Sequence, residues 1–268
     1  MSTPTTRPLA VVTGASKGIG FELAKQFAQN GYDLVIAAGS DEIEHAAQEL
    51  EALGTSVRPV QVDLAGFDGV EQLYAEIASA GRPVDAIAIN AGIGVSGDFS
   101  RETDLRDELK LINLNVTSTV HLAKRVLADM ARRGEGKVLF TSSIAATQPG
   151  PYETVYAASK AFVYYFALGV RQELKDTGVT VTALMPGPTE TEFFERADML
   201  DTKLGQLKSK DDPADVAREG YEALMAGKDH IITGSFKNKV QAAAGTLLPD
   251  KAVAAGHAKM SAPGSGTS

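Results

Sequence analysis

The chain has 268 residues, of which 44% are hydrophobic and 22% are charged, so it carries enough apolar sequence to bury one large domain core. It contains no cysteine, which excludes disulfides, a thiol nucleophile and thiolate metal ligands, and we expect no metal site. The formal net charge is −8, and the densest basic spot is the pair Arg132 and Arg133, so we expect no nucleic-acid binding, which depends on neutralising phosphates.

The amino terminus is polar, and residues 1–7 are predicted to be disordered. No apolar run in the sequence reaches the roughly 18 residues that a membrane span needs, and no secretory leader is recognisable. We therefore expect no membrane association and a cytoplasmic location.

Short apolar runs alternate along the chain with segments of helical periodicity. The predicted strands are 9–13, 34–37, 57–61, 86–89, 138–140, 179–184 and 230–233, and the predicted helices between them are 19–30, 41–53, 69–80, 105–132, 155–175 and 213–225. Runs that are apolar on both faces and separated by helices are typical of a parallel sheet with right-handed crossovers. The sequence predicts one α/β domain over residues 8–235, a Rossmann-type doubly wound parallel sheet of about seven strands with helices on both faces.

The carboxyl-terminal tail, residues 236–268, has a different composition. Phe236, Val240, Ala244 and Leu247 have roughly helical spacing, which predicts a short helix ending near Pro249. Residues 256–268 are rich in Gly, Ser, Ala and Pro, and are predicted to be disordered.

A glycine-rich turn follows the first strand directly. Gly14 permits a sharp turn, Gly18 lets a pyrophosphate approach the backbone, and Gly20 allows the next helix to pack closely on the strand. The turn lacks the Gly-Lys-Ser/Thr of a nucleoside-triphosphate loop, which disfavours triphosphate hydrolysis. The interpretation is a dinucleotide-binding turn with the spacing Gly-x-x-x-Gly-x-Gly.

A second constellation lies near the middle of the chain. Tyr156 and Lys160 are four residues apart on a predicted helix, so the ammonium group lies beside the phenol and is expected to lower its pKa toward the working range. Thirteen residues before Tyr156 is Ser143, whose hydroxyl could stabilise charge on a carbonyl oxygen. Ser142 is its rival, because strand alternation points the two side chains in different directions.

These motifs, in this order and at these spacings, resemble the short-chain dehydrogenase/reductase family over about residues 8–195. Asn90-Ala91-Gly92 resembles that family's Asn-Ala-Gly motif, and Pro186 to Thr191 resembles its Pro-Gly-x-x-x-Thr motif. Asn115, 25 residues beyond Asn90, matches the family's helix asparagine, which kinks its helix and holds a water that links the lysine to solvent; Asn113 is the rival.

The resemblance implies an oxidoreductase that transfers a hydride between NADP(H) and a carbonyl or secondary alcohol. Its catalytic tetrad would be Asn115, Ser143, Tyr156 and Lys160, with Tyr156 as general acid/base. The cofactor contacts that the resemblance implies are Gly14, Ser16, Lys17, Gly18, Ile19, Gly20, Ser40, Asp63, Leu64, Asn90, Ala91, Gly92, Tyr156, Lys160, Pro186, Gly187, Thr189 and Thr191.

The end of the second strand bears on the choice of cofactor. An NAD-preferring enzyme usually has a carboxylate there, whereas this chain has Ala38, about 18 residues past Gly20. Lys17 and the hydroxyls of Ser16 and Ser40 favour a 2′-phosphate. Gly39 stands where an arginine would be decisive, and the neighbouring Asp41 and Glu42 argue for caution. We expect NADP(H) to be preferred over NAD(H).

A long irregular segment, residues 188–210, is expected to close over the substrate. Phe193, Phe194, Met199 and Leu200 make it apolar, which predicts a partly hydrophobic carbonyl substrate; a facing wall is predicted from residues Val95, Phe99, Pro149, Tyr152 and Val155.

Aromatic residues also cluster just after the catalytic lysine. Four aromatics within residues 162–166 cannot all face the sheet, and relatives associate through this helix, so a homodimer or homotetramer is expected.

Other functions stay open from the sequence. The chain could be a catalytically inactive protein of this fold that binds the cofactor for regulation, although such proteins usually lack the tyrosine or the lysine. It could also be an NAD-dependent alcohol dehydrogenase, or a relative that catalyses dehydration or epimerisation.

Overall fold

A computed structural model of the chain describes residues 7–234 and 249–267. Its seven strands, β1 to β7, span Leu9–Thr13, Asp33–Ala38, Val57–Gln61, Ala86–Ile89, Gly136–Thr141, Val179–Met185 and His230–Ile232. They form one sheet in the order β3-β2-β1-β4-β5-β6-β7, and every neighbouring pair is parallel. The predicted doubly wound parallel sheet is confirmed.

Helices connect consecutive strands, and one more helix follows the last strand. In chain order, α1 to α9 span Gly18–Gln29, Glu42–Glu51, Phe67–Ser79, Leu105–Ile112, Ser118–Arg133, Thr154–Glu173, Phe193–Arg196, Pro213–Met225 and Asp250–Ser261. A π-helical turn, Asn113–Thr117, joins α4 to α5, and a short 3₁₀ helix, Ile144–Thr147, follows β5. The helix predicted over 105–132 is therefore continuous but changes its hydrogen-bond pattern in the middle.

The sheet separates two apolar layers. Along β1, Leu9 and Val11 pack into a core with α3, α5 and α6, whereas Ala10 and Val12 pack into a second core with α1, α2 and α8. This alternation follows from the pleat of a strand, and because both faces are covered, β1 is apolar along most of its length. Such burial is the reason that short apolar runs identify the strands.

The strand order indicates where a ligand-binding crevice lies, at the carboxyl ends of the central strands. The chain proceeds from β1 to β2 on one side and from β4 to β5 on the other, although β1 and β4 are neighbours. Ligands of open α/β sheets bind outside the carboxyl ends of the strands at such a reversal. The segments after β1, β4, β5 and β6 therefore converge there.

The tail differs from the prediction of disorder over residues 256–268. Helix α9, Asp250–Ser261, includes Gly256 and ends before Pro263, and the 3₁₀ turn Ser265–Thr267 follows it. Contacts with the rest of the protein stabilise this helix, since the Leu204 amide donates to the Met260 carbonyl at 2.9 Å and Ser261 is fully buried. Composition predicted disorder because it does not register such tertiary contacts. The helix predicted to end near Pro249 and residues 1–6 lie outside the described residues.

The central sheet residue Phe140 offers a test of the core. Its side chain is fully buried and packs edge-to-face on Phe166, with ring centroids 5.5 Å apart. We expect Phe140→Ala to lower the free energy of unfolding by about 3–5 kcal/mol in a denaturant titration, because it leaves a cavity. Phe99→Ala is the control, since Phe99 is 57% exposed and its loss should cost less than about 0.5 kcal/mol. Equal losses for the two variants would contradict this assignment of the core.

Candidate active site

The glycine turn between β1 and α1 has the geometry that a pyrophosphate requires. Gly14 and Gly18 have φ of 67° and 60°, in the left-handed region that favours glycine. A methyl group on Gly20 would lie 2.1 Å from the Gly14 carbonyl oxygen, so helix and turn can approach only because residue 20 has no side chain. Lys17 precedes α1 without capping it through its side chain, and the first turn of α1 contains no acidic residue. The helix start therefore suits an anionic group.

The loop after β4 holds this turn in place. The Thr13 hydroxyl accepts hydrogen bonds from the backbone amides of Asn90 and Ala91, each at 3.0 Å. The side-chain nitrogen Nδ2 of Asn90 donates to the Thr13 carbonyl at 3.1 Å. A methyl group on Gly14 would lie 2.9 Å from Ala91 Cα. The structure thus brings Asn90-Ala91-Gly92 next to the glycine turn.

Lys17 has partners that the sequence did not indicate. Its ammonium group donates to Glu42 at 2.8 Å and to Glu192 at 2.7 Å, and the pKa of Lys17 is raised chiefly by the hydrogen bond to Glu192. Glu192 precedes the short helix α7, so Lys17 connects the glycine turn to the segment after β6. The side chain of Ile19 is partly buried against the core, so the contact implied for Ile19 falls to its backbone.

The residues implied for the adenosine end lie at the carboxyl ends of β2 and β3. Ser40 donates through its hydroxyl to Glu42 at 3.0 Å, which places Ser40, Glu42 and Lys17 together. Asp63 is exposed and accepts from the Ala65 amide at 2.9 Å, whereas Leu64 is buried. The strands β2 and β3 are neighbours, so these positions share one end of the crevice.

Tyr156 lies in the first turn of α6, where it is buried. Its pKa is raised above the ordinary value, first by burial and then by the negative charge of Glu153, while a hydrogen bond with the Ser143 side chain acts in the opposite direction. The sequence predicted that Lys160 lowers this pKa, and that prediction is wrong for this structure. Burial disfavours the charged phenolate, and the Lys160 ammonium nitrogen lies 5.8 Å from the ring centroid of Tyr156.

The two candidate serines have different surroundings. The Ser142 hydroxyl is buried and donates to the Lys160 backbone carbonyl at 2.7 Å, so it joins α6 to the sheet. Ser143 is only partly buried, caps the 3₁₀ helix by accepting from the Ala145 amide at 3.1 Å, and reaches Tyr156. Of the two serines, Ser143 is therefore the one whose side chain lies beside Tyr156.

Lys160 is 5% exposed, and its ammonium group donates to the Thr141 carbonyl at 3.0 Å. Burial lowers the pKa of Lys160 to about 8. A methyl group on Gly92 would lie 3.1 Å from both the Lys160 ammonium nitrogen and Asn115 Oδ1. Lys160 and Asn115 therefore meet at the loop after β4.

Asn115 is buried within the π-helical turn, whereas Asn113 is exposed. Its Oδ1 accepts from the Ile93 amide at 2.9 Å, and its Nδ2 donates to the Ile93 carbonyl at 2.9 Å and to Ser159 Oγ at 3.1 Å. Ser159 in turn donates to the Tyr156 carbonyl at 2.7 Å. Asn115 thus connects the loop after β4 to the helix that carries Tyr156 and Lys160.

The segment after β6 forms the opposite side of the crevice. The Pro186 carbonyl accepts from the Ile144 amide at 3.0 Å, and the Thr189 hydroxyl donates to the Gly187 carbonyl at 2.9 Å. A methyl group on Gly18 would lie 3.1 Å from Thr191 Cγ2, so Thr191 faces the glycine turn. Ser16 is half-buried in that same turn.

Phe193 brings the segment of residues 188–210 to the candidate catalytic residues. Its ring centroid is 5.1 Å from that of Tyr156, and a methyl group on Gly94 would clash with it. Phe194 and Met199 instead form a separate small core, and Leu200 is 56% exposed. Of the four apolar residues predicted to face the substrate, Phe193 is therefore the one placed beside Tyr156.

Sequence reasoning missed Glu153, Glu192 and His257. Glu153 lies three residues before Tyr156, and that spacing on a helix is a signal that could have been used. His257 contacts Glu153 from 104 residues away, and Glu192 contacts Lys17 from 175 residues away, so no local pattern indicates either pair.

Comparison with known proteins places this geometry in a family. The sequence model described as short chain dehydrogenase matches residues 8–199. The oxidoreductase UcpA of Salmonella typhimurium is 31% identical over 218 residues, which are 80% of this chain and 79% of that protein.

Solved structures agree with that match. A short-chain dehydrogenase from Sphingobium yanoikuyae in complex with NADPH is 27% identical, with a TM-score of 0.79 over 90% of this chain and 93% of the other. A bulky-bulky ketone specific alcohol dehydrogenase from Comamonas testosteroni is 26% identical, with a TM-score of 0.75 over 91% of this chain and 94% of the other.

The chain belongs to the short-chain dehydrogenase/reductase family. It is an NAD(P)-dependent oxidoreductase of CH–OH groups. Across the parts of the chain that the structure describes, no helix is long and apolar enough to cross a membrane.

Asn115 provides a test of this architecture. We expect Asn115→Ala to lower the melting temperature by several degrees, because the Ile93 amide, the Ile93 carbonyl and the Ser159 hydroxyl lose a hydrogen-bond partner in a buried place. Asn113→Ala, at an exposed position two residues away, is the matched control and should leave the melting temperature within about 1 °C. A larger effect of Asn113→Ala than of Asn115→Ala would reverse the assignment.

Proposed function

We propose that the protein transfers a hydride between NADP(H) and a carbonyl or secondary alcohol, with Tyr156 as the general acid/base. The observation that supports this most directly is the burial of Tyr156 and Lys160 together on α6, with the Lys160 ammonium nitrogen 5.8 Å from the Tyr156 ring centroid. Ser143 lies beside Tyr156, and the crevice that holds these residues borders the glycine turn. A proton donor and a second hydroxyl at one place can share a carbonyl oxygen. This is the arrangement that protonation during carbonyl reduction needs.

Each residue of the tetrad has a proposed task. The nicotinamide, when bound, supplies or accepts the hydride at the carbon atom. Tyr156 donates its hydroxyl proton to the carbonyl oxygen in reduction, and its raised pKa keeps that proton in place at neutral pH. Ser143 donates a hydrogen bond to the same oxygen. Lys160 would hold the ribose hydroxyls. Asn115 holds the loop after β4 against α6 through its hydrogen bonds to Ile93 and Ser159.

The geometry fits a nicotinamide dinucleotide along the crevice. The glycine turn with its uncapped helix start would hold the pyrophosphate, with Ser16, Gly18, Ile19 and Gly20 offering backbone amides. Asp63 and Leu64 would contact the adenine, and Thr189 and Thr191 would contact the carboxamide end. These assignments rest on position at the carboxyl edge of the sheet.

The preference for NADP(H) rests on the group around Lys17. Lys17 and Ser40 converge at the end of β2, where Ala38 leaves no carboxylate on the ribose side. Glu42 and Glu192 partly neutralise Lys17, so the preference is expected to be moderate. The Sphingobium yanoikuyae relative binds NADPH, which supports the choice.

The substrate is proposed to be a partly hydrophobic carbonyl compound or its alcohol. Phe193 covers Tyr156 with an apolar ring, and the name of the Comamonas testosteroni relative specifies bulky ketones. Exposed apolar side chains on α4 and α6 support a homodimer or homotetramer; they are Leu105, Leu109, Phe162 and Tyr165.

Replacement of the phenol tests the catalytic role. With NADPH and a panel of ketones and aldehydes, we expect Tyr156→Phe to lower kcat by at least about 10²-fold, because the proton donor is lost. Tyr165→Phe, an exposed tyrosine in the same helix, is the matched control and should keep full activity. NADPH binding, followed by thermal shift, should persist in both variants. Binding by the unaltered chain without turnover of any carbonyl would support the catalytically inactive alternative instead.

Replacement of Lys17 tests the cofactor preference. We expect Lys17→Ala to raise the KM for NADPH by about tenfold and to leave the KM for NADH nearly unchanged, since only NADPH offers a phosphate for a charge-assisted bond. Lys25→Ala, a lysine of α1 that pairs locally with Glu22, is the control. Equal effects on the two cofactors, or a lower KM for NADH in the unaltered chain, would contradict the preference for NADP(H).

A further inference from the structure

A buried polar group connects helix α9 to the helix that carries Tyr156. Glu153 and His257 have side chains only 6% and 8% exposed, and Glu153 Oε2 is 3.1 Å from His257 Nε2. Ser261 donates through its hydroxyl to the same oxygen at 3.1 Å, and Gln148 Nε2 lies 3.1 Å from His257 Nδ1. We call Gln148, Glu153, His257 and Ser261 the α9 network. Residues 250–261 lie beyond the range that the family model matches, so two of its four members come from outside that range.

Hydrogen bonds within the α9 network converge on the Glu153 carboxyl group. The Gln148 amide nitrogen donates to His257 Nδ1, so His257 Nε2 carries the imidazole proton and donates to Glu153 Oε2. Ser261 is a second donor to Glu153 Oε2, and its hydroxyl also lies 3.1 Å from His257 Nε2. Glu153 therefore accepts two hydrogen bonds in a buried place.

This carboxylate lies next to Tyr156. Glu153 is the residue before α6, its backbone carbonyl accepts from the Ala157 amide at 2.9 Å, and Tyr156 follows three residues later on the same side of the helix. The titratable groups placed against Tyr156 are Glu153 and Lys160, and Glu153 in turn contacts His257 from α9. The negative charge of Glu153 opposes ionisation of the phenol and so raises the pKa of Tyr156.

Helix α9 also contacts the segment of residues 188–210. The Leu204 amide donates to the Met260 carbonyl at 2.9 Å, and just beyond the helix the Gly266 amide donates to the Asp201 carbonyl at 2.8 Å. One helix therefore contacts both the start of α6 and the segment that carries Phe193. Hydrogen bonds therefore connect α9 to the segments on both sides of Tyr156.

We propose that Glu153, held in place by His257 and Ser261 of α9, is a positioning residue that keeps Tyr156 in its proton-donating form. The inference rests on the proposed role of Tyr156. Within that role, the buried carboxylate extends carbonyl reduction toward alkaline pH, because Tyr156 retains its proton there. In the opposite direction, alcohol oxidation requires the ionised phenol and rises with pH until Tyr156 has lost its proton.

The pH profile of alcohol oxidation tests the proposal. The alcohol product of a carbonyl that the panel identifies is oxidised at saturating NADP⁺, and kcat/KM is followed against pH. We expect Glu153→Gln, which is of the same size and uncharged, to move the midpoint of the rise about one pH unit lower. Glu173→Gln, the same change at an exposed position near the other end of α6, should leave the midpoint unchanged. A loss of packing alone would alter the melting temperature or kcat and not this midpoint.

A second variant tests the proposal in case Glu153→Gln folds poorly. Glu153→Met with His257→Leu replaces both members of the buried pair by apolar side chains, a change that proteins often tolerate. It should show the same lowered midpoint. A folded variant that turns over with the midpoint of the unaltered chain overturns this inference alone. Absence of turnover by the unaltered chain with every carbonyl overturns the proposed function and this inference with it.

Discussion

The crevice depends on the joint between β1 and β4, the neighbouring strands from which the chain departs toward opposite sides of the sheet. Thr13 is fully buried at that joint, and its single hydroxyl oxygen accepts from two consecutive backbone amides of the loop after β4. Asn90 returns a hydrogen bond to the Thr13 carbonyl. Two loops that would otherwise separate are thereby held together, and the N-terminus of α1 is fixed relative to both.

The candidate catalytic residues depend on a second set of contacts across β5 and α6. Ser142 donates to the Lys160 carbonyl, and the Lys160 ammonium group donates to the Thr141 carbonyl, so strand and helix are joined in both directions. Asn115 adds the loop after β4 to this unit through Ile93 and Ser159. Burial of the Lys160 ammonium group costs free energy, and the same burial lowers its pKa. The hydrogen bonds among β5, α6 and the loop after β4, rather than the helix propensity of the sequence, keep the ammonium group buried.

The sequence predicted those parts of the protein that local pattern determines. The strands were recognisable because both faces of the sheet are covered, and Asn115 and Ser143 were recognisable because their spacing to Asn90 and Tyr156 is typical of the family. The choice of Ser143 over Ser142 stays a prediction; the structure shows only that the Ser142 hydroxyl donates to the Lys160 backbone carbonyl. The pKa of Tyr156 could not be predicted, since it depends on burial and on Glu153.

The contacts of the tail lay beyond sequence reasoning for a physical reason. An alanine- and glycine-containing segment such as 250–261 is marginal as an isolated helix, and its stability comes from the surface on which it packs. His257 and Ser261 contact Glu153, and the Met260 carbonyl accepts from the Leu204 amide. The two residues of each contact are far apart in the sequence. Composition therefore indicated disorder in a segment that tertiary contacts make helical.

The ion pairs of Lys17 show how the mouth of the crevice could accommodate a 2′-phosphate. Glu42 and Glu192 are 49% and 46% exposed, so solvent screens their ion pairs with Lys17 and each pair contributes little stability. A phosphate accepts a charge-assisted hydrogen bond from an ammonium group, so it can replace one of these carboxylates as the partner of Lys17. Glu192 also pairs with Arg196, so it keeps a partner when Lys17 turns away. The two carboxylates therefore moderate the proposed preference for NADP(H) without excluding that cofactor.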